Sequence, residues 1–262
     1  MTKKSKSRLA RDQRKIPKKK EVAFTRVDHE KKLQIIFKSN MLTNQLQRDG
    51  PKIARSFDKI LSKQLSEASR LVGLTTGLLS KHLFAPDDLG SRATTARLIA
   101  SAINSYIASI EVARHGFPLQ HGAISRSIVE VLASVIVIVT DGTALEKFHA
   151  GKLPSTKCIG QAKKSLPLIG PLWGFLSNEF VHVGSLHATL ELPAPYTTAD
   201  ERLEFLSNSI LLNSWLIYVV TELVFHDEVW CVYWKSDEQG VTFSPTDEGN
   251  EWLDRFTGEL DQ

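Results

Sequence analysis

PLQHGAISRSIVEVLASVIVIVTD, residues 118–141, is the stretch whose reading decides the fold of this 262-residue chain. Within it, Ile128–Val139 is an almost continuous apolar run, broken only by Glu130 and Ser134. A membrane crossing needs about 20 such residues. The stretch therefore reads as a buried helix against which other helices pack. It also carries Arg126 and Glu130, two charges that apolar burial does not account for. Leu203–Phe225 has the length of a span, but Glu204, Asn208, Asn213, Glu222 and several serines interrupt it. It reads as a second buried helix, and no membrane span is expected.

The flanking sequence supports helices on both sides. Ser91–His115 is amphipathic, Gly116 stands where a left-handed cap belongs, and Pro118 opens the next helix. So short a link requires two adjacent, antiparallel helices. Upstream, Asp28 is expected to cap a helix running to about Arg48, which Gly50-Pro51 ends. Ile53–Leu83 follows as a long helix, with Phe57, Ile60, Leu61, Leu65, Ala68 and Leu71 at three- and four-residue steps. Gly73 and Gly77, four apart, would let a neighbouring helix approach closely. Downstream, Thr143–Ala150 and Ser155–Lys164 read as short helices, with Ser155 as a cap. Pro167, Gly170 and Pro171 mark a bend before a helix over Leu172–Val183. Thr198 is expected to cap the helix that ends near Phe225. Val241–Phe243 reads as a short extended piece and Thr246–Leu260 as a terminal amphipathic helix. No alternation is long enough to predict a sheet.

Charge is unevenly spread. Residues 1–20 hold ten basic side chains (Lys3, Lys4, Lys6, Arg8, Arg11, Arg14, Lys15, Lys18, Lys19 and Lys20) against Asp12, a net of +9. The whole chain is +4, so the remainder is −5. Like charge without aromatics cannot offset the entropy of ordering, so a disordered arm is expected over 1–24. Such an arm suits nucleic acid or another polyanion. The acidic, Trp-containing stretch 226–262 offers it a second target in another copy of the chain, which makes a homo-oligomer a further expected partner. Two cysteines, Cys158 and Cys231, cannot form a disulfide framework and fit a reducing cytoplasm. Beside Lys157, the Cys158 thiol is expected to have a lowered pKa.

Two polar clusters could carry chemistry. Arg126 and Glu130 are four apart and meet on one helix face. Ser177 and Glu179 lead to His182, beside the irregular Gly/Pro segment. Glu146–His149 and Glu179–His182 each have the Glu-x-x-His spacing of di-metal bundles. Residues 150–178 contain no Asp or Glu, however, so the intervening ligand is missing and no metal or cofactor is expected. Phosphate-binding loops, His-Glu-x-x-His, Gly-x-Ser-x-Gly and Cys-x-x-Cys do not occur.

The order of the clusters, Arg126-Ser127-x-x-Glu130 after a Gly-containing turn and then Leu176-Ser177 leading to His182, resembles a group of uncharacterised bacterial all-helical proteins. These are similar in outline to HEPN domains, many of which are ribonucleases of toxin–antitoxin and phage-defence systems. The resemblance covers about Ser91–Phe225 and implies Arg126, Glu130, Ser177 and His182 as motif positions. HEPN nucleases place an Arg and, after four to six residues, a His on one helix, and this sequence has no such pair inside a predicted helix.

The expected architecture is an all-α multi-helix bundle over residues 25–225, between the basic arm and the acidic extension. The leading functional expectation is a cytoplasmic protein that acts by binding, in defence or stress response. The alternative is a ribonuclease in which Arg126 stabilises phosphate charge and His182 moves a proton, with Glu130 in the same pocket.

Overall fold

A computed structural model describes residues 22–28, 33–83, 89–189, 192–238 and 240–257. The ten basic residues between Lys3 and Lys20 lie outside them. The protein is an all-α multi-helix bundle with two small strand pairs, and the chain forms two compact units, residues 1–52 and 53–262.

The first unit departs from the sequence expectation. Two antiparallel paired strands, β1 (Val22–Asp28) and β2 (Leu33–Lys38), stand in place of the expected helix capped by Asp28. Leu33, Ile36 and Phe37 satisfy helical spacing, but short apolar runs fit both periods. Here aromatic and β-branched residues pair across strands, as in the Phe24–Phe37 ring contact at 6.1 Å. The chain turns helical at α1 (Met41–Asn44) and continues through a π-helical turn, Gln45–Asp49, into α2 (Gly50–Ile60). Gly50-Pro51 therefore does not break the helix. Proline lacks the N–H that an interior helical turn would use, and the wide π turn falls just before it.

In the second unit, α2 and α3 (Ser62–Leu83) meet at a bend at Leu61, across which Leu61 N–H donates to Phe57 O and Leu65 N–H to Leu61 O, both at 2.9 Å. Gly73 and Gly77 do not mediate close packing. A Cβ at either would meet nothing within 4 Å, so both face open space. Next come α4 (Ser91–Arg114) and α5 (Pro118–Thr140), paired as an antiparallel hairpin. Between them Gly116 has φ of +89°, and its N–H donates to Ala113 O at 2.9 Å. A Cβ there would also lie 2.9 Å from Pro193 Cβ, so conformation and space both select glycine.

Beyond α5 lie α6 (Ala144–His149), α7 (Ser155–Ser165) and α8 (Ile169–Leu176). Ser155 is not a cap: Pro154 holds that position and Ser155 starts the helix. Gly170 and Pro171 lie within the first turn of α8, where the missing N–H of proline costs nothing. The expected Leu172–Val183 helix instead passes from α8 into a π turn, Ser177–Val181, and stops at His182. After α9 (Ser185–Ala188), α10 (Arg202–Val224) starts from Glu201, not Thr198. Asp200 Oδ1 accepts the Arg202 N–H at 3.1 Å, a capping role near the start of α10.

Two helices, α5 and α10, occupy the centre. Ile128, Val129, Leu132 and Ile136 on α5 are buried, as are Ile210, Leu216, Val220 and Leu223 on α10. Tyr106 of α4 ties to α10 by donating to Ile210 O at 2.8 Å. Both α5 and α10 are long and apolar enough to cross a membrane, and 56% and 61% of their most apolar windows are buried within the protein. That burial is what makes each an inner helix of the bundle here.

Tyr233, Trp234 and Trp252 pack into the same core. A hairpin of β3 (Trp234–Asp237) and β4 (Gly240–Phe243) leads to α11 (Asp247–Thr257). The buried Glu222 carboxylate accepts the Tyr233 and Trp234 N–H groups at 2.6 and 3.2 Å, and burial pushes its pKa up.

Candidate functional site

Arg126 of α5 faces α8. Its Nη2 lies 2.9 Å from Glu130 Oε1, and its Nε donates to Ser177 Oγ at 2.9 Å. Ser177 Oγ donates to Trp173 O at 2.7 Å, while Trp173 Nε1 donates to Glu130 Oε1 at 3.0 Å. The guanidinium carbon stands 5.1 Å from the Trp173 ring centroid, a cation–π distance. These four residues, through their side chains and the Trp173 carbonyl, form a closed circuit that pins the end of α8 and its π turn to α5. Mutual satisfaction of this kind suits a partly buried ion pair.

Of the sequence-derived set, the structure thus joins Arg126, Glu130 and Ser177. His182 adjoins them only through its backbone, whose N–H donates to Ser177 O at 2.9 Å. Its exposed side chain has no hydrogen bond or ion pair among the described residues. Among the described residues no group of three or more His, Cys, Asp or Glu side chains is placed to hold a metal ion. The Cys158 expectation is reversed: the thiol is buried, and burial pushes its pKa up, not down.

On the adjoining face lies a cleft of about 500 Å³ between α5, α8 and α10. Leu168, Leu172, Phe175, Phe205 and Leu212 form apolar walls. Ser125, Ser209 and Asn213 line it as well and are themselves buried, making a polar floor. Glu201 and Glu204, at the start of α10, are exposed and mark its mouth. Phe180 of the π turn stacks on Phe205, with ring centroids 4.6 Å apart. This is possible because Gly122 of α5 leaves room, since a Cβ at Gly122 would collide with the Phe180 ring.

Beneath the floor is His121, fully buried and one turn before Ser125. Its Nδ1 is 3.0 Å from Ser109 O and its Nε2 2.6 Å from Ser209 Oγ. A carbonyl oxygen only accepts, so Nδ1 carries the proton. Burial pushes the imidazole pKa down to about 4, so the ring is neutral at pH 7 and Nε2 is an acceptor. The Ser209 hydroxyl therefore donates to Nε2. Ser125 Oγ donates to His121 O at 2.9 Å. Both serine oxygens can then only accept from Asn213, at 3.0 Å for Ser125 and 3.3 Å for Ser209, so the amide group facing them is the nitrogen.

Ser209 and His121 have the spacing of a nucleophile and its base. Other features argue against acyl transfer. An imidazole with a pKa near 4 is a weak base, Ser209 sits mid-helix where its backbone N–H is part of the ladder, and the Asn213 amide hydrogens are already engaged. No donor of the floor is left to hold an oxyanion. The arrangement is suited to binding. His121 also follows Arg114 with six residues between them, the nuclease-like spacing, but across the α4–α5 turn. Arg114 is engaged elsewhere, with Nε and Nη2 each 2.7 Å from the Asp58 carboxylate.

No family model matches this chain, and no curated protein or solved structure matches it.

Proposed function

We propose that the protein is a binding protein that takes a small, largely apolar molecule into the cleft between α5, α8 and α10. The observation that carries this reading is the cleft itself. Its volume of about 500 Å³ lies in the usual range for small-ligand sites. Its walls are apolar, and a few fixed polar groups converge at one end, which is how such sites orient a ligand. A ribonuclease built on Arg126, Glu130 and His182 has less support. Arg126 Nε and Nη2 are engaged by Ser177 and Glu130, and the exposed His182 side chain makes no hydrogen bond or ion pair with them among the described residues.

The test is a titration with 1-octanol by calorimetry, on the wild type and on Leu212→Trp, which fills the cleft from α10. Saturable binding is expected for the wild type, with affinity reduced about tenfold or more in the variant, a loss of at least ~1.4 kcal/mol. Both proteins should give the same helical circular dichroism. Failure of the wild type to bind, or equal binding by a folded Leu212→Trp, overturns the proposal.

A further inference from the structure

The cleft floor has a property that its composition hides. Ser125, Ser209 and Asn213 together contain two hydroxyl hydrogens and two amide hydrogens. The Ser125 hydrogen goes to His121 O and the Ser209 hydrogen to His121 Nε2. Asn213 Nδ2 lies within hydrogen-bond reach of both serine oxygens. What remains is a set of acceptors: a second lone pair on each hydroxyl oxygen, and Asn213 Oδ1, which has no hydrogen-bond partner among the described residues although Asn213 is 3% exposed. The floor can accept hydrogen bonds but has no hydrogen left to offer.

The mouth points to the same chemistry. Glu201 and Glu204 have no ion pair among the described residues, and the nearby Arg202 is held by Asp200, with Nη2 2.6 Å from Oδ2. Positions 201, 204/205, 208/209 and 212/213 recur at helical spacing, so one face of α10 runs from the carboxylates past Phe205 to the floor. Glu204 and Ser209 are separated by about 7.5 Å of axial rise. That is within a Debye length of about 8 Å at physiological ionic strength. Asn208, half-buried on the same face, can present either a donor or an acceptor and does not alter the balance.

From these two observations we infer that the cleft selects a hydrogen-bond-donating cation on an apolar body, namely a protonated primary amine. The inference rests on the cleft being a ligand site. An ammonium has three donors and no acceptor, the complement of this floor. One N–H goes to the Ser209 and Asn213 oxygens, and the others turn toward water and Glu204. The alkyl or aryl body lies along Leu172, Phe175 and Leu212. A carboxylate in the same place would set its lone pairs against those of the floor, under the field of two glutamates.

Four probes of one chain length separate the possibilities by calorimetry at pH 7.5: 1-aminooctane, 1-octanol, methyl octyl ether and octanoate. The expected order is amine, then alcohol, then ether, with octanoate weakest and at least about tenfold below the amine. In Glu201→Gln/Glu204→Gln, two exposed substitutions at the mouth, the advantage of the amine over the alcohol should shrink severalfold, because amine affinity falls more than octanol affinity does. Octanoate binding as tightly as the amine overturns the inference, as does ether binding as tightly as octanol. In either case octanol binding leaves the cleft reading standing. If no probe binds, the cleft reading fails and the inference fails with it.

Discussion

His121 is the residue whose chemistry is most constrained by its place. In the unfolded chain its imidazole titrates near 6.5, and in the fold burial holds it neutral down to about pH 4. The folded pKa is the lower one, so the stabilisation is complete above about pH 6.5 and is lost as the pH falls toward 4. Within that window each pH unit removes ~1.4 kcal/mol, roughly 3 kcal/mol in all. The groups that meet the ring are the Ser109 carbonyl, the Ser209 hydroxyl and Phe205, none of which titrates there. Thermal melts of the wild type should therefore fall steeply between pH 7 and 4.5, and those of His121→Gln less so. Parallel slopes would remove the assignment to His121. This site was hard to read in advance because its polar atoms come from three distant helices. Ser209 and Asn213 look like interruptions in an apolar helix. Only the fold brings them within 3 Å or so of His121 and Ser125. The one available signal was a pair of polar i, i+4 steps, His121–Ser125 and Ser209–Asn213, on the two long apolar helices. The Arg126–Glu130 pair was legible because both members lie on one helix, and its partner Ser177 came from the second cluster, whereas Trp173 carried no signal of its own.

At the level of elements, periodicity identified the long helices well, because burial of one broad face leaves a mark over six turns. It failed where elements are short or where a turn widens. The β1–β2 pair mimics a helix over a few residues, and the π turn at Ser177–Val181 has the composition of an ordinary helix end. Glycines illustrate the limit, since spacing does not reveal which of them is in contact. Gly122 looks incidental, yet it receives the Phe180 ring, while the suggestive pair Gly73 and Gly77 faces open space. Opposite outcomes follow for the same substitution. Gly73→Ala and Gly77→Ala should each stabilise by up to about 1 kcal/mol, since alanine is the better helix former and nothing obstructs its methyl group. Gly122→Ala gains the same propensity but forces Phe180 off α5, an overpacking cost of roughly 1–3 kcal/mol. It should be neutral to destabilising and should shift the cleft wall that Phe205 shares with Phe180. Urea unfolding of the three variants measures this. A Gly122→Ala protein as stable as Gly77→Ala would show that the ring can move at no cost.

For the whole molecule, the acidic C-terminal stretch raises the sharpest question of scale. Its charge made it read as an extension beyond the bundle. Tyr233, Trp234 and Trp252 instead complete the core, and in α11 the buried Trp252 lies beneath exposed Asp247, Glu248 and Glu251. Trp252 stacks on Trp215 at 5.9 Å with the rings 11° from parallel, and its Nε1 donates to Glu67 Oε1 at 2.9 Å, so α11 bridges α10 and α3. Trp215 also meets Tyr233 edge-on, which brings the chain leading into β3 into the same cluster. Trp252 is 8% exposed, and truncating a buried tryptophan typically costs about 3–5 kcal/mol. A domain of this size has only about 5–15 kcal/mol in total, so Trp252→Ala should remove a large share of it. If α11 is part of the cooperative unit, unfolding of Trp252→Ala stays a single transition at a much lower urea midpoint, with the slope unchanged. If it is an appendage, the main transition stays in place and only a small early change in tryptophan fluorescence appears. The stacking of Trp252 on a residue of the central helix α10 requires the first result, and a midpoint unmoved by the substitution would refute it.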